Sequence, residues 1–537
     1  MKKTLLALFV LISISTTAQV VEEFNIEMEP LTITDAPGVQ SYTWGKTQDG
    51  KWIIVGGRID GLHRRQPWAA FQEIGNNKMV FVIDPVADQV WFSNLDVLST
   101  SIFEQLQSTN QNFHQRDSIL YIVGGYGFST TAGDHITYPN LTAINVDQLA
   151  DSVIAGGDIN PAFRQTSDPL FKVTGGQMER IDSTFYLVGG HLFDGAYNPM
   201  GPDHGPGFTQ VYTCDIRTFK IDDDGVTMTP YDLNVAYHDT INLHRRDYNM
   251  APQIFPTGEF GFTAFSGVFD YSDMPYLNVV DITESNGYVV NNSFNQMLSQ
   301  YHSAKMPVYD TAANVMHTLF FGGLSQFQFD ATGSLVEDID VPFVKTISRV
   351  SRFDDGSMTE TDLNYIEMPT LVGAGAEFIP YGPYWYEHGI LDLNAVPQTK
   401  TLVGYVYGGI ESSEENIFFI NDGTQSTANN VAFEVYINKS TVSQEEIQLN
   451  STMIVDLNVY PNPAKKKLNV EFFAASFDPI QIQIVSTEGK LVRDEIFEPM
   501  SIGDQELKLS IADLDSGSYV IVVNNGAYKD QKQFVKK

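Results

Sequence analysis

A chain of 537 residues, 43% hydrophobic and 12% aromatic, is long enough for more than one folded unit and apolar enough to give each a core. Its 66 acidic residues against 32 Lys plus Arg leave a formal net charge of −34, which excludes a continuous basic surface for nucleic acid and favours solubility outside the cell. A single cysteine, Cys214, excludes an internal disulfide framework.

In chain order, Lys2 and Lys3 precede the apolar run LLALFVLISIS and then small polar residues, the pattern of a signal peptide over 1–18 cleaved after Ala18. No later apolar stretch has the length of a membrane span, so the mature chain is expected to leave the cytoplasm without a transmembrane segment. Residues 22–34 (EEFNIEMEPLTIT) read as one strand with no partner nearby in sequence. Next comes WIIVGG, ending at Gly57, and its variants LYIVGG, FYLVGG, FTAFSG, TLFFGG and GYVYGG follow, ending at Gly125, Gly190, Gly267, Gly323 and Gly409. An apolar run without alternation suits a strand buried on both faces, and terminal glycines permit positive φ and close backbone approach. Several short β-rich runs per repeat predict a ring of small antiparallel sheets; a β-sandwich with glycine bulges explains one or two copies but not six. Residues 439–455 turn polar and read as a linker. Beyond them, LNVEF and IQIQIV alternate strictly, which predicts half-exposed strands of a small sandwich over 456–537.

The repeated apolar strand ending in Gly-Gly resembles the Kelch-type β-propeller over residues 23–438. The family repeat is about 50 residues, so loops enlarge these copies. The resemblance implies an all-β fold: a six-bladed Kelch-like β-propeller followed by a small Ig-like β-sandwich. A seventh blade without its signature, in the long interval before Gly408, is the alternative; otherwise 382–397 is an insertion in the last blade. Ring closure assigns the orphan N-terminal strand to the outer edge of that last blade, where it removes two sheet edges.

The terminal segment resembles the C-terminal sorting domain of the type IX secretion system of Bacteroidetes. The residues that carry this are Tyr460-Pro461-Asn462-Pro463, Gly489-Lys490, Gly517 and Tyr519 in LDSGSY, and the basic end Lys536-Lys537. The resemblance implies recognition by the type IX secretion machinery and a secreted or cell-surface location.

In a propeller the loops after each Gly pair and those before each inner strand share a face. That places two identical tripeptides together: His63-Arg64-Arg65 after the first pair, and His244-Arg245-Arg246 before the fourth inner strand. Arg58, His191, His302 and Lys305 project near them, as does His204. Arginine forks suit carboxylate, sulfate or phosphate, and screening over about 8 Å lets a local basic cluster attract an anion despite the global charge. The competing reading pairs these arginines with Asp60, Asp247 and other local acids to hold loops. Asp222 to Gly225 and Asp354 to Gly356 read as hairpin turns, no histidine spacing forms a zinc site, and Cys214 reads as a buried structural residue on the face of Tyr212 and Ile216. No cofactor is implied. The expected function is binding of an acidic glycan or a protein ligand through one loop-rich face. A carbohydrate-active enzyme with carboxylates at the channel mouth is the alternative.

Overall fold

A computed structural model describes residues 24–439, 447–449 and 454–537, apart from 67, 199–206, 331–333, 475–478, 487–489, 500–502 and 525–528. The expected signal peptide with its cleavage after Ala18, together with His204 and Gly489, lies outside the described residues. The chain is all-β and propeller-like. Among the described residues before 450, six sheets of four or more strands follow one another along the chain, antiparallel except where Leu391–Asp392 joins the fifth in parallel.

Each Gly-Gly run is the second strand of its sheet, and its neighbours explain why it lacks alternation. Ile53, Val55, Val80 and Val82 of the first sheet meet Leu120, Ile122 and Ile144 of the second in one buried cluster. On the other side of that second sheet, Tyr121 and Val123 meet Phe185 and Phe219 of the third. Consecutive side chains thus face different neighbouring sheets, and both must be apolar.

The glycines end these strands where backbone approaches backbone. At Gly124, with φ of 69°, an added Cβ would lie 1.8 Å from the carbonyl oxygen of Val173. Ser266 is the one non-glycine in this position; it accepts a φ of 51°, and its hydroxyl donates to the Ser299 carbonyl.

Inner strands begin from a second repeated device. Two residues before the first ordinary inner-strand position of each sheet stands a left-handed residue: Ser41, Asn110, Gly175, Asp247, His302 and Gly375, with φ between 51° and 72°. Asn and Asp tolerate this conformation through local hydrogen bonding, and Gly has no Cβ to clash. Their backbones are joined head to tail. The amide of Asn110 donates to Ser41, that of Gly175 to Asn110, that of Asp247 to Gly175, that of Gly375 to His302 and that of Ser41 to Gly375, at 2.6–3.2 Å. First and last sheets are thereby joined around a central axis.

The strand Asn25–Thr32 pairs antiparallel with Val431–Asn438, from Asn25 opposite Asn438 to Thr32 opposite Val431. It is the outer strand of the sixth sheet, so the two ends of this region close one sheet together. Residues 382–397 leave the sixth sheet between its first and second strands and cross the far end of the axis. Glu387 accepts from Arg180 of the third sheet at 2.9 Å, His388 stacks on Phe260 of the fourth at 4.0 Å, and Leu391 pairs with Val308 of the fifth.

Two sequence expectations change. Within the segment read as a linker, Ile447–Leu449 forms a short strand on the outer edge of the fifth sheet, with Leu449 opposite Glu360. Backbone pairing needs only a free edge, which polar composition does not reveal. Cys214 is buried, but at φ of 54° it sits in the turn between Thr209–Tyr212 and Asp215–Asp223, so strand alternation does not set its direction.

The C-terminal part holds two sheets around a shared core that includes Leu468, Val470, Ile482, Ile484, Ile521 and Phe534. Its last residues are sewn in: the amide of Lys537 donates to Ala464 at 2.8 Å, three residues from Pro461. Phe473 packs against Phe327, at the start of the short strand Phe327–Phe329, at 5.2 Å between rings.

Candidate functional site

The repeat geometry builds a cavity at the end of the axis opposite the insertion. The residue after each Gly pair bridges to the residue before each left-handed position: Arg58 to Gln40, Tyr126 to Thr109, His191 to Thr174, Val268 to Arg246 and Leu324 to Tyr301. In the sixth sheet Ile410 pairs with Ala374 in the same way. These positions surround a cavity of about 470 Å³ that the longer loops wall higher up.

Identical backbone positions carry different chemistry around the ring. In the first three sheets the residue after the Gly pair is Arg58, Tyr126 or His191; in the last three it is Val268, Leu324 or Ile410. The aliphatic side continues into Phe343, Ala374 and Ile417, which cluster with Ile410, Leu62 and Leu324. One wall is polar and the opposite wall apolar.

Two arginines line the cavity, one at each seam between these walls. Arg58 is already engaged: it makes a two-pronged contact with Asp60 at 2.7 and 2.5 Å and donates to Asn76 at 2.8 Å. Arg246 has no two-pronged carboxylate, but it is held by a hydrogen bond with Tyr197 and lies over Phe269 at 5.4 Å and Tyr212 at 5.8 Å. Its Nη1 lies 3.2 Å from Nδ1 of His191, and its Nε lies 3.5 Å from Asp247, beyond good hydrogen-bond length. Because a guanidinium only donates, Nδ1 of His191 is the acceptor and the ring proton belongs on Nε2. Gln210 donates to the same Nδ1 at 3.0 Å.

Burial, and then the charge of Arg246, holds His191 well below the ordinary histidine value. His63 is pushed down to about 4, mainly by burial and further by Arg246 and Arg58. Its ring stacks on Phe71 at 5.2 Å and meets Tyr197 edge-on at 4.7 Å. Both histidines are therefore neutral hydrogen-bonding groups at pH 7. His302 lines the cavity from its left-handed position, with Nε2 3.3 Å from Ser41 Oγ. At the rim stand three exposed carboxylates, Asp273, Asp340 and Glu415.

The other residues singled out in sequence go elsewhere. Arg245 is wholly buried and donates to the carbonyls of Asn242 and Ser266 at 2.7 and 3.0 Å, with Tyr276 against its guanidinium at 4.1 Å. Its carbonyl partners make it a structural cation. His244 is sandwiched between Tyr212 and Tyr271 outside the cavity lining. Arg65 lies over Phe419 at 4.6 Å, and Arg64 over Gly423. Lys305, on the inner strand Ala304–Asp310, acts electrostatically on Glu377 and does not line the cavity.

The apolar wall and the aromatic residues Tyr197 and Tyr301 were not anticipated, although the position after each Gly pair marks half of that wall. Carboxylates raised by burial are Glu360, to about 8, Asp362, to about 6, and Glu377; none lines the cavity. Among the described residues no cluster of His, Cys, Asp and Glu is arranged to hold a metal, and no helix is long and apolar enough to cross a membrane.

Comparison with known structures returns distant likenesses. The structure of YjhT is 11% identical, with a TM-score of 0.41, covering 74% of this chain and 99% of its own. A glycoside hydrolase family 43 arabinoxylan arabinofuranohydrolase from Bacillus subtilis, in complex with cellotetraose, is 10% identical, with a TM-score of 0.26, covering 94% and 98%. PorZ, a surface component of the type-IX secretion system of Porphyromonas gingivalis, is 9% identical, with a TM-score of 0.13, covering 95% and 100%. No curated protein matches the chain. Residues 458–537 match the family described as the secretion system C-terminal sorting domain. The chain thus ends in a type IX sorting domain, and the protein is exported to the cell surface or secreted.

Proposed function

We propose that residues 23–438 form a six-bladed Kelch-like propeller whose mouth cavity binds an anionic group of a glycan or protein ligand. A linker over 439–455 joins it to an Ig-like sorting sandwich over 456–537. The observation that carries the reading is Arg246: a buried cation lining a cavity, without a two-pronged carboxylate partner, beside a histidine that is neutral. Arginine presents several donors in a fixed fork and stays charged, so it suits an anion whose other contacts are neutral hydrogen bonds. Binding is favoured over catalysis because the carboxylates with raised pKa lie away from this cavity.

The test uses the full chain on arrays of acidic glycans and peptides, with Arg246→Glu as the variant and a turnover assay on every hit. Loss of at least about tenfold in affinity for the hits is expected from removing a charge-assisted contact. Unchanged binding by the variant would sink the reading, and turnover of a hit would move it to the enzyme class.

A further inference from the structure

Resting on that reading of the mouth cavity, we infer that its ligand is the carboxyl terminus of a peptide with a bulky apolar last residue and a basic residue upstream of it. Three features combine. The cavity is narrowed at its base, where amide-to-carbonyl hydrogen bonds join five of the six neighbouring pairs among Ser41, Asn110, Gly175, Asp247, His302 and Gly375, and residues 382–397 cross the far end of the axis. A cup narrowed in this way favours the end of a chain over its middle.

The second feature is the seam. Arg246 stands where the polar wall ends and the aliphatic wall begins, with His191 on one side and Val268, Leu324 and Ile410 on the other. A terminal residue carries its carboxylate and its side chain on one carbon, so a carboxylate at Arg246 leaves the side chain free to lie against the aliphatic wall. Burying a leucine- or phenylalanine-sized group there is favourable, whereas a sugar would set hydroxyls against aliphatic groups that cannot pair with them.

Third, the rim is acidic. Asp273, Asp340 and Glu415 line the cavity from exposed loops of the fourth, fifth and sixth sheets, while the buried Arg246 has Asp247 beside it. A polymer of acidic sugars would bring repeated carboxylates past that rim. A peptide brings one, and a lysine upstream of it would meet the rim with the opposite charge.

The test is calorimetric titration of the full chain with acetyl-Lys-Gly-Phe as the free acid, its carboxamide, the versions ending in Ser and beginning with Glu, and tri-galacturonate. The free acid is expected to bind roughly tenfold or more tighter than the carboxamide, and tighter than the peptide ending in Ser. The Lys-over-Glu preference should shrink as salt rises. In Arg246→Gln, shown to be folded by its thermal midpoint, the acid and the carboxamide should bind alike. Equal binding of acid and carboxamide by the unmodified chain overturns the inference whatever the variant does. Arg246-dependent binding of tri-galacturonate without binding of the peptide overturns the inference and leaves the anion reading standing; binding of no carboxylate overturns the inference, and the glycan and peptide arrays then decide the anion reading.

Discussion

His63-Arg64-Arg65 and His244-Arg245-Arg246 are the same tripeptide on the same end of the molecule, yet their side chains do opposite things. In the first, the histidine lines the cavity, and the arginines lie over Phe419 and Gly423. In the second, the histidine sits between two tyrosines, the middle arginine is buried against carbonyls, and only Arg246 lines the cavity. The difference is register. Arg246 directly precedes the left-handed Asp247, the position held elsewhere by Gln40, Thr109, Thr174, Tyr301 and Ala374, whereas 63–65 belong to a long loop not tied to the ring. A residue's distance from the ring, rather than its type, decides what it faces.

The largest test of that contrast is Arg245→Met. It removes the donors for two carbonyls from a wholly buried site and should cost roughly 3 kcal/mol or more in urea unfolding, while Arg64→Met should stay within about 0.5 kcal/mol. Equal losses would erase the distinction. Glu360 gives a counterpart among buried ionisable groups: it accepts from the Leu298 amide at 3.1 Å, but its other oxygen has no partner. Its folded pKa, raised to about 8 from an ordinary 4.5, means that stability present below pH 4.5 is lost as pH rises through 8. Glu360→Gln should therefore flatten the alkaline loss, by roughly 3–5 kcal/mol at pH 9, as read from thermal midpoints. A parallel fall of variant and unmodified chain would contradict this.

His63 runs with the opposite sign. Its folded pKa of about 4 lies below the ordinary 6.5, so its contribution is present above pH 6.5 and is lost as pH falls through 4. His63→Phe should remove roughly 2 kcal/mol of the acid destabilisation between pH 7 and pH 4, the partial exposure of the ring reducing the figure. The smallest expected effect lies in the ring. Ser41, with φ of 51°, should tolerate glycine within about 1 kcal/mol, whereas Gly175→Val, at φ of 67°, should cost more than about 1 kcal/mol. If Gly175→Val were neutral, the ring would not constrain register.

How much of this could be read from the sequence follows from the range of the forces involved. The Gly pairs are local signals, because glycine is needed where a strand end meets another backbone, and they mark the second strand of each sheet. The residue after each pair is equally legible, and its change from Arg58, Tyr126 and His191 to Val268, Leu324 and Ile410 was there to be seen. Choosing between Arg245 and Arg246 was not possible, because a one-residue change in register reverses which of them lines the cavity. The six ring residues are Ser, Asn, Gly, Asp, His and Gly, a set without a common side chain, and only their shared φ unites them. The path of 382–397 across the far end and the pairing of Leu449 opposite Glu360 are long-range contacts with no local signature.

The most direct measurement is a crystal structure of the full chain with acetyl-Lys-Gly-(4-bromo-Phe), located by the anomalous signal of bromine. One bromine site is expected between Leu324, Phe343 and Ile410, with the peptide carboxylate within hydrogen-bond distance of Arg246. A bromine site over the loop that carries Arg64 and Arg65, with the mouth cavity empty, would contradict it.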